Sequence, residues 1–400
     1  MIRFVTAGES HGRGLVAVVE GVPAGLPLAA ADLDADLVRR MAGYGRGARM
    51  KIEADRAQIL SGVRAGETLG SPIALLIENR DFEHWSDVMA AEPSPGPRRR
   101  RVTRPRPGHA DLAGTLKYDR SDARDVLERA SARETAARVA AGAVCRRLLA
   151  EFGVEIGSHV VALGGVVARV PEPLPVPLNP AADRSAVRCL DAEAERAMVA
   201  RIDAAKEAGD TLGGLVEVVA RQVVVGVGSH VSWDRRLDGR LAAALMSIPA
   251  VKGVEIGHGF AVAGEPGSVA HDELARLEGE AGVRTGGFGR RTNRAGGIEG
   301  GMTTGEPVVV HVAMKPLSTL MTPLRSVDLE SGRSAAAQSE RSDVTAVPAL
   351  GVIAEAAVAL TLADAYAEKF GGDSLGEMRR NVDAYLERLR RRRDDWAPVD

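Results

Sequence analysis

Short runs of β-branched and apolar residues at Ile2–Ala7 and Leu15–Val22 flank a glycine-rich turn and predict two strands. Asp32–Met41 carries its apolar residues at helical spacing, giving a short amphipathic helix. Further strands are expected near Lys51–Val63, Ile73–Glu78, Glu155–Val170, Leu215–Val227 and Val308–Met314. Helices are expected at Ala192–Glu207 and Arg236–Met246, and from Val347 onward into a charged tail at about 388–400. The clearest helix is Ala132–Phe152, where Ser131 and Glu134 stand at capping-box spacing before an apolar run. Two tracts lack periodicity: residues 79–124, with an exposed Pro/Arg-rich loop at about 92–101, and residues 264–307. Long aperiodic stretches in a compact chain are usually functional or disordered. Strands and helices do not alternate in βαβ units, so a doubly wound parallel sheet is disfavoured. With no repeat and no linker, residues 1–400 read as one domain.

Composition narrows the function classes. At 45% hydrophobic and 26% charged, the 400 residues suit a large core, and a net charge of −2 opposes bulk attraction to nucleic acid or an anionic membrane. Aromatic residues make up only 3%, too few for base-stacking platforms. Cys145 and Cys189 form no CxxC or Cys/His cluster, so neither a disulfide framework nor a metal site is expected, and a reducing cytoplasm fits. The N-terminus lacks a basic and apolar leader, and the apolar stretch Val347–Leu362, interrupted by Glu355, reads as a buried helix rather than a membrane span. Lysine supplies only six of the 52 basic side chains, so where the arginines stand matters more than their number.

Six segments carry candidate chemistry. Gly8-Glu9-Ser10-His11-Gly12 matches the G-x-S-x-G elbow of serine hydrolases. That elbow needs a helix after it, and here a β-branched run follows, so the turn instead presents Ser10 and His11 to a ligand. Arg40, Arg46 and Arg49 fall in a glycine-interrupted stretch able to clamp a small polyanion, or to remain a solvated basic loop. In Arg104–Asp111, prolines stiffen the backbone around Arg106 and His109, and a histidine there can serve as general acid toward a phosphate leaving group. Arg129, Ser131 and Arg133 surround a helix start, a ready anion site. Asn293–Gly301 and Lys315–Thr319 contain glycine pairs and a lysine but match neither a Walker loop nor a dinucleotide fingerprint. Asp343, in Arg341–Val344, can cap the following helix or act as a base.

Together these segments resemble one family along nearly the whole chain, the chorismate synthases. The resemblance rests on GESHGRGLVAVVEGVPAG, RPRPGHAD, ERASARETAARVAAGAV, IPAVKGVEIG, TNRAGGIEGGM, AMKP and RSDVTAVPALGVIAEA, in that order. It implies an α+β fold with a helical layer sandwiched between antiparallel β-sheets, assembled as a homotetramer. It also implies a lyase that removes phosphate from 5-enolpyruvylshikimate 3-phosphate by 1,4-anti elimination, giving chorismate in the last step of the shikimate pathway. Reduced FMN would be required without net redox change. NADPH is implied as its indirect reductant, with a separate flavin reductase as a further partner in some members.

The resemblance assigns residues as well. Ser10, His11, His109, Ser131 and Asp343 match positions in or beside catalysis. Flavin contacts would fall on Arg129, Ala130, Ser131, Pro249, Ala250, Gly300, Lys315, Pro316, Leu317, Ser318, Thr319 and Arg341. Arg40 and Arg46 match a phosphate-binding pair, described in some members as an NADP site, and Arg49, Arg106 and Arg133 resemble further substrate arginines. The expected roles are proton donation to the leaving phosphate by His109, donation to the flavin N1–O2 edge by His11, and control of the flavin N5 proton by Asp343. Two rival classes remain at this point: a net flavin oxidoreductase, which would consume NADPH stoichiometrically, and a phospho-ligand-binding protein, in which both histidines would be dispensable.

Overall fold

The computed structural model describes residues 1–47, 54–93, 96–277, 280–340 and 343–394. Strands β1 (Arg3–Ala7) and β2 (Gly14–Glu20) pair antiparallel across the Gly8–Arg13 turn. Gly8 makes this turn possible: its φ of 106° lies in the left-handed region, and a Cβ there would sit 2.3 Å from the Gly14 carbonyl oxygen. Helix α1 (Ala30–Met41) follows, then the short β3 (Gln58–Ile59) and β4 (Ile73–Glu78). These strands form an antiparallel sheet in the order β1-β2-β4-β3. Leu15, Ala17 and Val19 stand opposite Ile77, Leu75 and Ile73, and all six are buried on one face.

Helices α2 (Asp111–Tyr118), α3 (Arg124–Ala130) and α4 (Thr135–Ala150) come next, then β5 (Glu155–Leu163), β6 (Val166–Val167), α5 (Ala192–Glu207), β7 (Gly214–Arg221), α6 (Leu237–Met246), β8 (Val251–Ile256) and β9 (Val308–Met314). The second sheet, also antiparallel, runs β8-β9-β7-β5-β6. Val308, Val310 and Val312 face Ala220, Val218 and Val216 in register, again on one buried face. Helix α7 (Val347–Phe370) crosses the centre and α8 (Leu375–Asp394) closes the chain. The chain is therefore α+β, with antiparallel pairing in both large sheets as the missing βαβ units imply.

Helix α4 packs on β2, β4 and α1, whereas α7 packs on α4, α6 and strands β5 and β7. The apolar stretch that begins at Val347 is long enough to cross a membrane, yet 94% of its apolar window is buried inside the protein. Glycine sets the distance between the two central helices. A Cβ at Gly142 would lie 2.4 Å from Ala356 Cβ and 2.7 Å from its Cα. Gly142→Ala is thus expected to destabilise the protein by about 1–3 kcal/mol through overpacking, overriding the ~1 kcal/mol gain in helix propensity. An unchanged urea midpoint would contradict this packing.

Several boundaries differ from expectation for identifiable reasons. Gly164 and Gly165, both at positive φ, turn the chain after Leu163, so the strand expected to Val170 is a hairpin. Gln222 at φ 61° ends β7 at Arg221 rather than Val227. The strand expected over Lys51–Val63 reduces to Gln58–Ile59 and part of a second hairpin at Val63–Arg64, residues 48–53 lying outside the described ones. The helix expected from Ala132 starts with a single 3-10 turn, Ala132–Glu134. The capping box does not form as expected: Ser131 Oγ caps the turn by accepting from the Arg133 N–H at 3.3 Å instead of that of Glu134, and the Glu134 side chain pairs with Arg138. Helix α8 continues through Asp394, so the first part of the expected charged tail is helical.

Candidate active site

Three helix ends converge on one cavity. The C-terminal turn of α1 brings Arg40, the start of α4 brings Thr135, and the start of α7 brings Ala346 and Ala349 to the wall of a cavity of about 510 Å³. Around it close the loop bearing Arg106 and His109, the Pro249–Ala250 corner before β8, and Lys315–Thr319 after β9. Lys315 N–H donates to the Ala250 carbonyl at 3.0 Å, which continues the β8–β9 pairing to the cavity rim. Ala250 itself holds φ 71°, a strained conformation for a residue with a Cβ and one that clusters at functional sites.

The lining is strongly basic. Arg40, Arg46, Arg106, Arg133 and Lys315 all contribute, against the carboxylates of Glu340 and Asp343 among the described residues. Arg40 is buried, its Nη2 donating to Thr135 Oγ1 at 2.9 Å and to the Ala132 carbonyl at 3.1 Å. Burial depresses its pKa; Asp55 opposes that, and the charges of Arg133 and Arg46 reinforce it. Arg133 Nη1 donates to Asp55 Oδ2 at 2.6 Å, and its Nε and Nη2 donate to Asn79 Oδ1 at 3.1 and 2.9 Å. Asn79 Nδ2 in turn donates to the Glu9 and Gly12 carbonyls, at 3.1 and 2.7 Å, tying the Ser10–His11 turn to the arginine wall. Asp343 caps no helix, since α7 starts after Ala346. It accepts from Gly47 N–H at 2.6 Å and pairs with Arg46 at 3.2 Å.

His109 sits in a fixed cradle. Its Nδ1 lies 2.5 Å from Asp111 Oδ1, and Arg106 grips the same carboxylate through Nε at 2.8 Å and Nη2 at 3.1 Å. Arg106 Nη1 also donates to Thr319 Oγ1 at 2.9 Å, so this arginine joins the histidine loop to the Lys315–Thr319 loop. Burial alone would raise the Asp111 pKa, but the hydrogen bonds from His109 and Arg106 hold it well below the carboxylate range. With a carboxylate accepting at Nδ1, the proton His109 can exchange is the one on Nε2.

Comparison with known proteins decides what shares this arrangement. A model of the chorismate synthase family matches residues 2–367. The chain belongs to the chorismate synthase family. A chorismate synthase from Moorella thermoacetica is 59% identical over 392 residues, covering 97% of this chain and 99% of the relative. Another from Symbiobacterium thermophilum is 57% identical over 397 residues, covering 98% and 100%. A chorismate synthase crystal structure superposes with a TM-score of 0.78 at 43% identity, covering 98% of both chains. The chain is accordingly a carbon–oxygen lyase of the last shikimate-pathway step.

Most of the site residues that the chorismate synthase resemblance implied meet at this cavity. Ser10, His109, Ser131 and Asp343 line it, as do Ala130, Pro249, Ala250, Lys315, Leu317, Ser318 and Thr319, and Arg40, Arg46, Arg106 and Arg133. Others stand elsewhere. Arg129 is exposed and donates to the Thr6 and Gly8 carbonyls at 2.9 and 3.2 Å, bracing the end of β1. Gly300 forms the exposed turn of the Ile298–Thr303 hairpin, and Pro316 is not among the lining residues. His11 lies beside Ser10, with Nδ1 3.0 Å from both oxygens of Glu128. Arg49 and Arg341 fall outside the described residues. Sequence reasoning passed over Asp55, Asn79, Thr135 and Glu128, which hold the arginines and His11 in place.

Proposed function

We propose that this cavity is where the chain eliminates phosphate from 5-enolpyruvylshikimate 3-phosphate. The observation that carries the proposal is a basic lining wrapped around a carboxylate-backed histidine. The substrate brings one phosphate and two carboxylates into a partly buried space, which requires a dense shell of guanidinium donors. Arg40, Arg46 and Arg133 would bind the anionic groups, and the α4 and α7 N-termini at the same wall add positive potential. His109 would hold a proton on Nε2 for the departing phosphate, with Asp111 and Arg106 keeping its ring in place.

The residues present also fit a phosphate-bearing planar cofactor. Lys315 is half-buried, with its pKa lowered by burial and by Lys252, and has no carboxylate partner among the described residues. Ala250, at positive φ, stands beside it at the rim, its carbonyl accepting from the Lys315 N–H. Lys315, Ser318, Thr319 and the Pro249–Ala250 corner would hold FMN there. The chemistry that a reduced flavin held there would supply is transient electron donation that eases C–O cleavage without net redox change. Asp343 would govern the proton at flavin N5, and His11 would donate to the N1–O2 edge.

The contacts of α4 with one sheet and α7 with the other support the family's sandwich architecture, and a single large core spanning both sheets supports one domain. Homotetramer assembly, flavin reduction by NADPH directly or through a separate reductase, and a cytoplasmic location belong to the same reading. The buried free thiols of Cys145 and Cys189 agree with the last. Arg46→Ala tests the binding wall. KM for 5-enolpyruvylshikimate 3-phosphate should rise about tenfold to a hundredfold, the equivalent of losing a charge-assisted hydrogen bond worth ~1.5–3 kcal/mol. An unchanged KM would remove Arg46 from substrate binding.

A further inference from the structure

A second cluster stands behind the cavity wall and centres on His11. Both Glu128 oxygens lie 3.0 Å from His11 Nδ1, and Glu128 Oε2 also accepts the His11 backbone N–H at 2.9 Å. The preceding Ser10 N–H donates to the Glu128 carbonyl at 2.9 Å, so one residue of α3 captures the whole turn. Glu128 is itself buried and held from its other side by Arg124 at 2.8 Å. Arg124 then reaches Glu340 on the cavity lining at 3.2 Å. The ring face is fixed separately. Trp85 stacks on His11 with centroids 3.9 Å apart and planes 27° apart. That indole is anchored by Nε1 donating to Asp81 at 3.1 Å, with the Arg100 and Arg124 guanidiniums 4.3 and 5.0 Å from its centre.

We infer that Glu128 is a positioning residue that fixes His11 with its proton on Nδ1, and that Trp85 clamps the same ring by stacking. Two independent constraints, one in the ring plane and one on its face, leave the imidazole neither free rotation nor a choice of tautomer. Burial would favour a protonated Glu128, but the hydrogen bonds and charge of His11, with Arg124, keep its pKa below the usual glutamate value. An acceptor-only carboxylate demands a donor at Nδ1, so any proton His11 exchanges passes through Nε2. The Glu128–Arg124–Glu340 chain also couples the His11 turn to the segment that carries Asp343. This inference rests on the reading of His11 as a working residue of the site.

A double-mutant cycle on flavin-loaded enzyme separates the two. Glu128→Gln should lower kcat about tenfold, the lower end of what orienting partners of active groups contribute, and leave KM nearly unchanged. In a His11→Ala background the same substitution should change kcat by less than about twofold, because it acts through the missing ring. If His11→Ala alone turns over at the wild-type rate, the reading of His11 fails. If His11→Ala is impaired while Glu128→Gln is silent, or multiplies its full effect onto His11→Ala, the positioning role is overturned and the reading of His11 stands. Trp85→Leu supplies a second cycle with the same expected non-additivity should Glu128→Gln fail to fold. In 15N-histidine-labelled protein loaded with oxidised FMN, the His11 signal should report a protonated Nδ1 that Glu128→Gln weakens. A wild-type His11 protonated only on Nε2 would contradict the inference directly.

Discussion

His109→Ala is expected to lower kcat for chorismate formation by about 10²–10⁴, the usual share of general acid catalysis, with little change in KM. Among the described lining residues His109 is the one histidine, and its Nδ1 lies 2.5 Å from a carboxylate that Arg106 grips through two nitrogens. That cradle commits one ring nitrogen, and on the proposed reading the other would serve the leaving group. Substrate binding should survive because the arginine wall stands on other elements, α1 and the start of α4. Steady-state phosphate release by the variant measures the effect. Near-normal turnover would assign the proton to another group and weaken the phosphate-elimination geometry as a whole.

Glu355→Ala should destabilise the fold by about 3–5 kcal/mol, the cost of stranding buried charges by removing their partner. Glu355 is fully buried mid-way along α7, where Arg39, Arg146 and Arg188 approach it at 2.9, 2.6 and 3.2 Å. Burial opposes its ionisation, yet the three guanidiniums hold its pKa well below the ordinary value. The sign follows from linkage. A carboxyl whose pKa is depressed by folding stabilises fully above its unfolded pKa of about 4.3 and loses that stabilisation as pH falls toward the folded value. Urea unfolding of wild type at decreasing pH should therefore show a loss below about pH 4.3 that is smaller in Glu355→Ala, where only the other paired carboxylates such as Asp111 contribute. Equal stabilities at pH 7 would contradict the account. The site should also feel the change, because Arg39 in this cluster and Arg40 in the cavity wall are neighbours on α1.

Much of the fold is legible in the amino-acid pattern. The apolar positions of β4 and β9 predict both strands to the residue, as does the pattern of α5. The breaks at Gly164–Gly165 and Gln222 escape that pattern because apolar runs continue through them, and only the backbone's left-handed turns interrupt the pairing. The site is readable through its conspicuous residues, the histidines, arginines and lysine of the candidate segments. Their partners are not. Asp55 falls in a segment expected to be a strand, where nothing marks it as an arginine partner, and Glu128 in α3 resembles any acidic residue on a solvated helix face. Burial gives these carboxylates their weight, and burial is a property of the assembled fold. Glu355 is visible as an interruption of an apolar run, but its three arginine partners lie far away in sequence.

One anaerobic experiment bears on the central claim most directly: purified protein, 5-enolpyruvylshikimate 3-phosphate and dithionite-reduced FMN, with phosphate, chorismate and the flavin absorbance followed together. The account predicts equal release of phosphate and chorismate while the flavin remains reduced. Flavin oxidation in step with product, or no product while substrate and flavin both bind, would contradict it.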